Sequence, residues 1–209
     1  MSGSGKSTLA KSIANHLKFQ FVDGDDHHPQ SNIEKMGREA LNDQDRLPWL
    51  GHLREICVRK LDEEVLHRGD HSGGATTEDV GVVLACSSLK AYYRQILRGV
   101  LTVERGPEAH PEEIQSYQHQ EADQQTPQPS LPLTYFVWVK GDKEVIRDRM
   151  LKREGHFFKA NMLDGQFEAL ESPEGEPDVV VVPLESSTEE QTDIALEGLE
   201  EIARTRTTT

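Results

Sequence analysis

Four short apolar runs, separated by stretches of helical periodicity, dominate the pattern of the chain. The runs are residues 19–22 (FQFV), 81–86 (GVVLAC), 135–139 (YFVWV) and 178–182 (DVVVV). In the first helical stretch Leu9, Ile13 and Leu17 recur every four positions, which is the spacing of an amphipathic helix. Near-continuous apolar strands that alternate with helices are typical of a parallel sheet covered on both faces. The pattern therefore predicts an α/β fold in one domain spanning residues 1–209.

Further helices are predicted at residues 29–36, 88–98 and 142–153, and from about residue 188 onward. The longest runs from the mid-forties to about His67, with Asp43 or Asp45 as its expected cap and Pro48 near its first turn. In residues 155–171 the spacing of Phe157, Met162 and Phe167 predicts a short packed helix pair or a mobile lid.

Composition shifts sharply at residues 104–132, which are rich in Glu, Gln, His and Pro and contain few apolar side chains. Such a segment cannot bury enough apolar surface to offset the entropy of ordering. We interpret it as a disordered insertion between a helix and a strand. The alternative is a segment that binds a partner.

The formal net charge is −14, from 23 basic and 37 acidic side chains. This balance argues against non-specific binding to nucleic acid or to anionic membranes, because both require clustered Lys and Arg. An anionic substrate must instead be held by a local basic pocket. Two cysteines and no apolar run of membrane-spanning length indicate a reducing, cytoplasmic location.

The clearest motif is SGSGKST at residues 2–8, which matches the second half of the P-loop pattern G-x-x-x-x-G-K-[ST]. Small residues let backbone N–H groups surround phosphate oxygens at the start of a helix. Lys6 would reach the terminal phosphates and the Ser7 hydroxyl would bind Mg²⁺. The predicted nucleotide-binding residues here are Ser2, Gly3, Ser4, Gly5, Lys6, Ser7 and Thr8. The alternative is a flexible Gly/Ser-rich terminus.

Two aspartates, Asp23 and Asp25, directly follow the first apolar run. Ligands of open α/β sheets bind beyond the carboxyl ends of the strands, where a carboxylate can orient or deprotonate a hydroxyl. The alternative is a tight turn with solvated carboxylates. His27 and His28 alongside them suggest a transition-metal site only weakly, because no third ligand with recognisable spacing follows.

Sequence blocks that run through nearly the whole chain resemble the gluconokinases. The blocks are residues 23–29 (DGDDHHP), 32–36 (NIEKM), 41–46 (LNDQDR), 48–50 (PWL), 86–90 (CSSLK), 93–94 (YR), 140–142 (KGD) and 155–159 (GHFFK), with Met162, Gln166 and Phe167. The resemblance implies ATP-dependent phosphorylation of D-gluconate to 6-phosphogluconate, on a P-loop fold similar to shikimate and adenylate kinases. The chemistry of phosphoryl transfer implies Mg²⁺ as well. A related kinase acting on another sugar acid or on shikimate is the alternative.

The resemblance and the motifs together suggest roles for particular side chains. Lys6 and Asp25 are the expected catalytic pair, with Asp25 at the 6-hydroxyl, and Asp23 joins Ser7 near the metal. The remaining candidates for substrate-binding residues are either cations that can hold a carboxylate or side chains that match the family blocks. These are His28, Arg46, Lys90, Arg94 and His156. Arg149 and Arg153 are expected to contact ATP, and for every one of these cations the alternative is an ordinary solvated charge.

The expected partners are D-gluconate and ATP, with no nucleic acid and no membrane, and a homodimer is left open. In the P-loop pattern a first glycine and a feeding strand come before the position of Met1. We therefore expect the sheet to lack its first central strand. This leaves a second hypothesis, an N-terminally truncated, inactive member of the family.

Overall fold

The computed structural model describes residues 3–69, 80–103, 133–152 and 160–207. The strands are β1 (Gln20–Asp23), β2 (Val82–Ala85), β3 (Phe136–Lys140) and β4 (Val179–Pro183). The helices are α1 (Lys6–Leu17), α2 (Gln30–Met36), α3 (Asp43–Gly69), α4 (Ala91–Arg98), α5 (Lys143–Leu151), α6 (Ala160–Glu168) and α7 (Thr188–Thr207), and a 3₁₀ turn, here called the acidic turn, spans Gly24–His27. All four predicted strands are found within one residue of their predicted starts.

The strands form two parallel pairs. β1 lies beside β2, with Gln20 opposite Val82, and β3 lies beside β4, with Phe136 opposite Val179. In the described ranges no strand hydrogen-bonds to both β2 and β3, so the strands do not join into the single sheet that the pattern predicted. The α/β class and the parallel pairing are confirmed; the missing central strand stays a prediction.

Alternating residues of β2 and β3 face two separate apolar clusters. On β2, Val82 and Leu84 pack with α3 and α4, whereas Val83 packs with α1 and α7 on the opposite side. On β3, Phe136 joins the first cluster and Val137 the second. Successive side chains of a strand point to opposite faces, so helices cover both faces of these strands, as the apolar runs predicted.

Asn42, and neither of the predicted aspartates, caps α3. The backbone N–H of Asp45 donates to Oδ1 of Asn42 at 3.1 Å, and the backbone N–H of Asn42 donates to Oδ2 of Asp45 at 2.8 Å. This reciprocal arrangement is a capping box, with Asp45 in the place of the usual Glu or Gln. Asp43 is consequently the first residue of the helix, and its carboxylate is available for other contacts. Pro48 lies further along the helix than the first turn.

Two predicted segments fall wholly or partly beyond the described residues. The insertion at 104–132 lies outside them, as does the first part of the predicted lid. The rest of the lid contains α6, where Leu163 is buried against the α1 side of the core. Among the described residues, no helix combines the length and the apolar character that a membrane crossing requires.

The two cysteine thiols are unpaired, and both residues are partly buried. Burial raises the pKa of Cys57 to about 11 and that of Cys86 to about 12. Since the thiolate is the nucleophile, we predict that iodoacetamide at pH 8 alkylates the folded chain roughly 100-fold more slowly than the unfolded chain. Mass spectrometry of quenched samples, with and without denaturant, measures both rates. Equal rates would contradict the burial of these thiols.

Candidate active site

The loop ahead of α1 has the backbone shape of a phosphate cradle. Gly3 and Gly5 have φ angles of 77° and 83°, a region that glycine enters without strain. Gly5 is the residue before α1, and its carbonyl accepts the Leu9 N–H at 3.0 Å. The first backbone N–H groups of α1 have no partner within the helix. These groups and the turn before them can bind an anion.

Helix α5 packs directly against this loop. A side chain at Gly3 would place its Cβ 2.3 Å from Cγ of Met150, so only glycine fits there. The neighbouring Arg149 donates from Nη2 to the Leu184 carbonyl at 3.0 Å, just beyond the end of β4. Arg149 therefore lies on the helix that borders the loop, and its contact with ATP stays a prediction. Ser2, Arg153 and His156 lie outside the described residues.

The acidic turn follows β1 and is held in place from three sides. Oδ1 of Asp23 accepts the backbone N–H of Asp25 at 3.2 Å and caps the turn. A Cβ at Gly24 would lie 3.0 Å from the Ala85 carbonyl oxygen, so the turn can approach the end of β2 only through a glycine. Trp49 of α3 donates from Nε1 to the Gly24 carbonyl at 3.0 Å. Trp49 is itself 1% exposed and part of the core.

The two predicted catalytic residues meet in the structure. Nζ of Lys6 lies 3.5 Å from Oδ2 of Asp25, and their side chains are 17% and 58% exposed. A long pair with an exposed partner contributes little stability. Lys6 can therefore exchange this carboxylate for a phosphate at small cost, which would leave Asp25 available to a hydroxyl group.

His28 joins this pair from the end of the acidic turn. Its ring stacks on Trp49 with centroids 4.0 Å apart and planes 14° apart. Burial lowers the pKa of His28, and the positive charges of Arg46 and Lys6 lower it further, against the opposing effect of Asp25. The imidazole is therefore neutral near pH 7. Its buried Nδ1 has no hydrogen-bond partner within the described part of the chain, so it can serve a ligand.

A cavity of about 200 Å³ opens between α3, α4 and α6. Both polar and apolar side chains line it; the residues are Ala40, Leu41, Asn42, Asp43, Arg46, Leu89, Lys90, Tyr93, Gly165, Gln166 and Ala169. The volume is below that of typical drug-sized pockets and suits a small metabolite. The cavity thus brings together Arg46 and Lys90, two of the three cations predicted to bind a carboxylate.

Arg46 and Lys90 differ in how their charges are compensated. The Arg46 side chain donates from Nε to the Leu41 carbonyl at 3.3 Å, and no described residue pairs with its terminal nitrogens. Lys90 instead places Nζ 2.8 Å from both carboxylate oxygens of Asp43. Asp43 and Tyr93 were not predicted as site residues. The sequence signal that could identify Asp43 is its place in the same family block as Arg46, residues 41–46.

The third predicted cation, Arg94, is occupied within the fold. Its side chain is 2% exposed. The guanidinium binds both carboxylate oxygens of Glu176 through Nε, at 2.9 and 3.2 Å, and donates from Nη1 to the carbonyls of Ser88 and Leu89. Arg94 does not line the cavity. Its role in substrate binding stays a prediction, and these contacts favour a structural role instead.

The predicted metal ligands, Ser7 and Asp23, supply one hydroxyl and one carboxylate. One oxygen of Asp23 accepts the Asp25 N–H, and the second can still bind a cation. The described residues contain no group of three or more His, Cys, Asp or Glu that would hold a metal without help. This sparse oxygen set fits Mg²⁺, which usually keeps several waters and shares phosphate oxygens.

The structural role of Arg94 leads to a stability prediction. Removing one partner of a buried ion pair leaves an uncompensated charge and costs about 3–5 kcal/mol. Because Glu176 also pairs with Arg98, we expect Arg94→Met to lower the unfolding free energy by about 3 kcal/mol. Urea titration followed by circular dichroism measures it, with the exposed Arg204→Met as control. Unchanged stability together with lost substrate binding would instead restore Arg94 to the site.

Comparisons with known proteins show the family to which the chain belongs. A shikimate kinase family model matches residues 2–70. The thermoresistant gluconokinase of Escherichia coli K12 is 36% identical over 90% of this chain and 83% of its own length. A probable gluconokinase of Xenopus tropicalis is 40% identical over 83% of this chain and 76% of its own length.

Solved structures agree with this result. The crystal structure of a gluconokinase from Sinorhizobium meliloti 1021 superposes with a TM-score of 0.68 at 31% identity, and the match covers 100% of this chain and 92% of that one. The identity with these relatives exceeds 30% over most of both chains, so the similarity reaches beyond a shared fold. The chain belongs to the gluconokinase family.

Proposed function

We propose that this chain transfers the terminal phosphoryl group of ATP to the 6-hydroxyl of D-gluconate. The observation that carries the proposal is the contact between Lys6 of the phosphate loop and Asp25 of the acidic turn. It places a phosphate-binding cation beside a carboxylate that can act on a hydroxyl. The relatives named gluconokinases support the choice of substrate.

Phosphoryl transfer requires mainly positioning and charge stabilisation. The loop N–H groups and Lys6 would hold the β- and γ-phosphates as charge develops on them. Asp25 would accept the hydroxyl proton as the oxygen–phosphorus bond forms and the bond to the ADP oxygen breaks. His28, neutral and stacked on Trp49, would present its unpartnered Nδ1 to a substrate hydroxyl. Arg46 would bind the substrate carboxylate.

The Ser7 hydroxyl and the second oxygen of Asp23 are the groups that we propose for Mg²⁺. When bound, Mg²⁺ neutralises charge on the phosphates. The same proposal assigns the reaction to a reducing, cytoplasmic compartment, in keeping with two free, partly buried cysteines.

The first test is turnover with a panel of sugar acids in an assay coupled to ADP release. We expect gluconate to give the highest kcat/KM, and shikimate, gulonate and galactonate to give lower values. Better turnover of shikimate than of gluconate would overturn the substrate assignment.

Substitution of Asp25 tests its role as the base. General-base catalysis contributes about 10²–10⁴-fold, so we expect Asp25→Asn to lower kcat by that range with little change in the KM for ATP. Asp26→Asn, in the same turn and likewise exposed, is the matched control and should retain activity. A kcat of Asp25→Asn close to that of the control would exclude Asp25 as the base.

Because no described strand pairs with both β2 and β3, we expect an added strand to have an effect. The described edges of β2 and β3 share no partner strand, and each buried unpaired backbone group costs about 1–3 kcal/mol. We expect a variant with an apolar strand and Gly-x placed before Ser2 to express better and turn over faster. A Gly/Ser-rich extension of equal length is the control. Equal expression and activity of all three chains would contradict this expectation.

A further inference from the structure

We propose that Asp43, Lys90 and Tyr93 form a hydroxyl-binding cluster in the wall of the cavity, and that Arg46 alone binds the substrate carboxylate. This inference rests on the proposed function and deepens it, because it assigns the two ends of a polyhydroxy acid to different walls. It also changes the expected role of Lys90 from a carboxylate ligand to a ligand of hydroxyl groups.

Asp43 is available because it does not cap its helix. Asn42 and Asp45 satisfy each other's backbone N–H groups, so the Asp43 carboxylate has no task at the start of α3. It reaches instead towards α4, where Lys90 immediately precedes the helix and Tyr93 lies in its first turn. The cavity is lined by all three residues.

The residues of the cluster are hydrogen-bonded to one another but remain partly accessible to solvent. Nζ of Lys90 lies 2.8 Å from each oxygen of Asp43, and Oη of Tyr93 donates to Oδ1 of Asp43 at 2.5 Å. Burial raises the pKa of Asp43, but hydrogen bonds from Lys90, Tyr92 and Tyr93 outweigh it, and the net pKa is lowered. The side chains of Lys90 and Asp43 remain 25% and 29% exposed. An ionised carboxylate and an ammonium therefore remain partly accessible at the cavity.

Charge compensation decides which ligand group fits this wall. A substrate carboxylate placed at Lys90 would also approach Asp43, and the repulsion would cancel much of the attraction. A hydroxyl group is both donor and acceptor, so it can donate to Asp43 and accept from Lys90 at once. Neighbouring hydroxyls on a sugar-acid chain can repeat this contact.

Arg46 has the opposite character. No described residue offers a carboxylate to its terminal nitrogens, and its side chain is mostly buried at the cavity. A buried guanidinium without an anion is costly, and its planar fork matches a carboxylate. The substrate carboxylate would supply the missing charge.

Equilibrium binding separates this proposal from a purely structural role of the cluster. Calorimetry on the full chain compares D-gluconate, its uncharged amide D-gluconamide and the 2-, 3- and 4-deoxy gluconates. A hydrogen bond to a charged group contributes about tenfold in affinity or more. We expect Arg46→Gln to weaken gluconate binding at least tenfold and gluconamide binding less than threefold.

Asp43→Asn should weaken the binding of gluconate and of gluconamide alike, by about tenfold. For at least one deoxy analogue the substitution should cause no loss of affinity. Tyr93→Phe, which keeps the buried ring, is a second variant and should show a smaller loss with the same dependence on hydroxyls. The matched control is Glu174→Gln, which removes the carboxylate from an exposed ion pair with Lys140. We expect its affinities to be unchanged.

Two results would overturn the proposal. One is an equal loss for Asp43→Asn on every analogue, which indicates a structural role only. The other is a selective loss of gluconate over gluconamide in Lys90→Met, which would make Lys90 the carboxylate ligand. If the wild-type chain binds gluconate without phosphorylating it, the proposed function is wrong. The affinities of the variants would still decide whether the cluster binds hydroxyl groups.

Discussion

One buried indole positions the acidic turn on which the site depends. Trp49 packs in the core beside α4, and it also holds the Gly24 carbonyl and supports the His28 ring. The turn is short and exposed at Asp25, so its own contacts are too few to fix it. Since a hydrogen bond and a stacked ring both depend on the same side chain, the position of Asp25 relative to Lys6 follows from the packing of α3.

Ion pairs between two arginines and two acidic side chains organise the second half of the fold. Arg94 and Arg98 of α4 both pair with Glu176, and Arg98 also pairs with Asp178 just before β4. These pairs tie α4 to the entry of β4 across the two strand pairs. The desolvation of buried charges offsets much of the attraction within such pairs, so their net contribution to stability is small while both partners are present. Of the two described cations that line the cavity, Arg46 is the one without an acidic partner among the described residues.

Several features were predictable because the physics behind them is local. The apolar runs marked all four strands, and the glycines and Lys6 marked the phosphate loop, since backbone conformation and charge are set within a few residues. Asp25 was predicted because a carboxylate after a strand has a known place in a parallel sheet. The start of α3 was predicted only to within a residue or two, as Asn42 and both aspartates can cap a helix.

The sequence by itself determined the strands, the helices, the phosphate loop and the carboxylate that faces it. Only the tertiary structure decided which cations remain available to a ligand. Glu176 is 82 positions from Arg94, and Asp43 is 47 positions from Lys90, so local spacing cannot reveal either pair. An arginine or lysine in a sequence carries the same charge in every context. Its function depends on whether folding brings an acidic side chain to it, and that is a property of long-range packing.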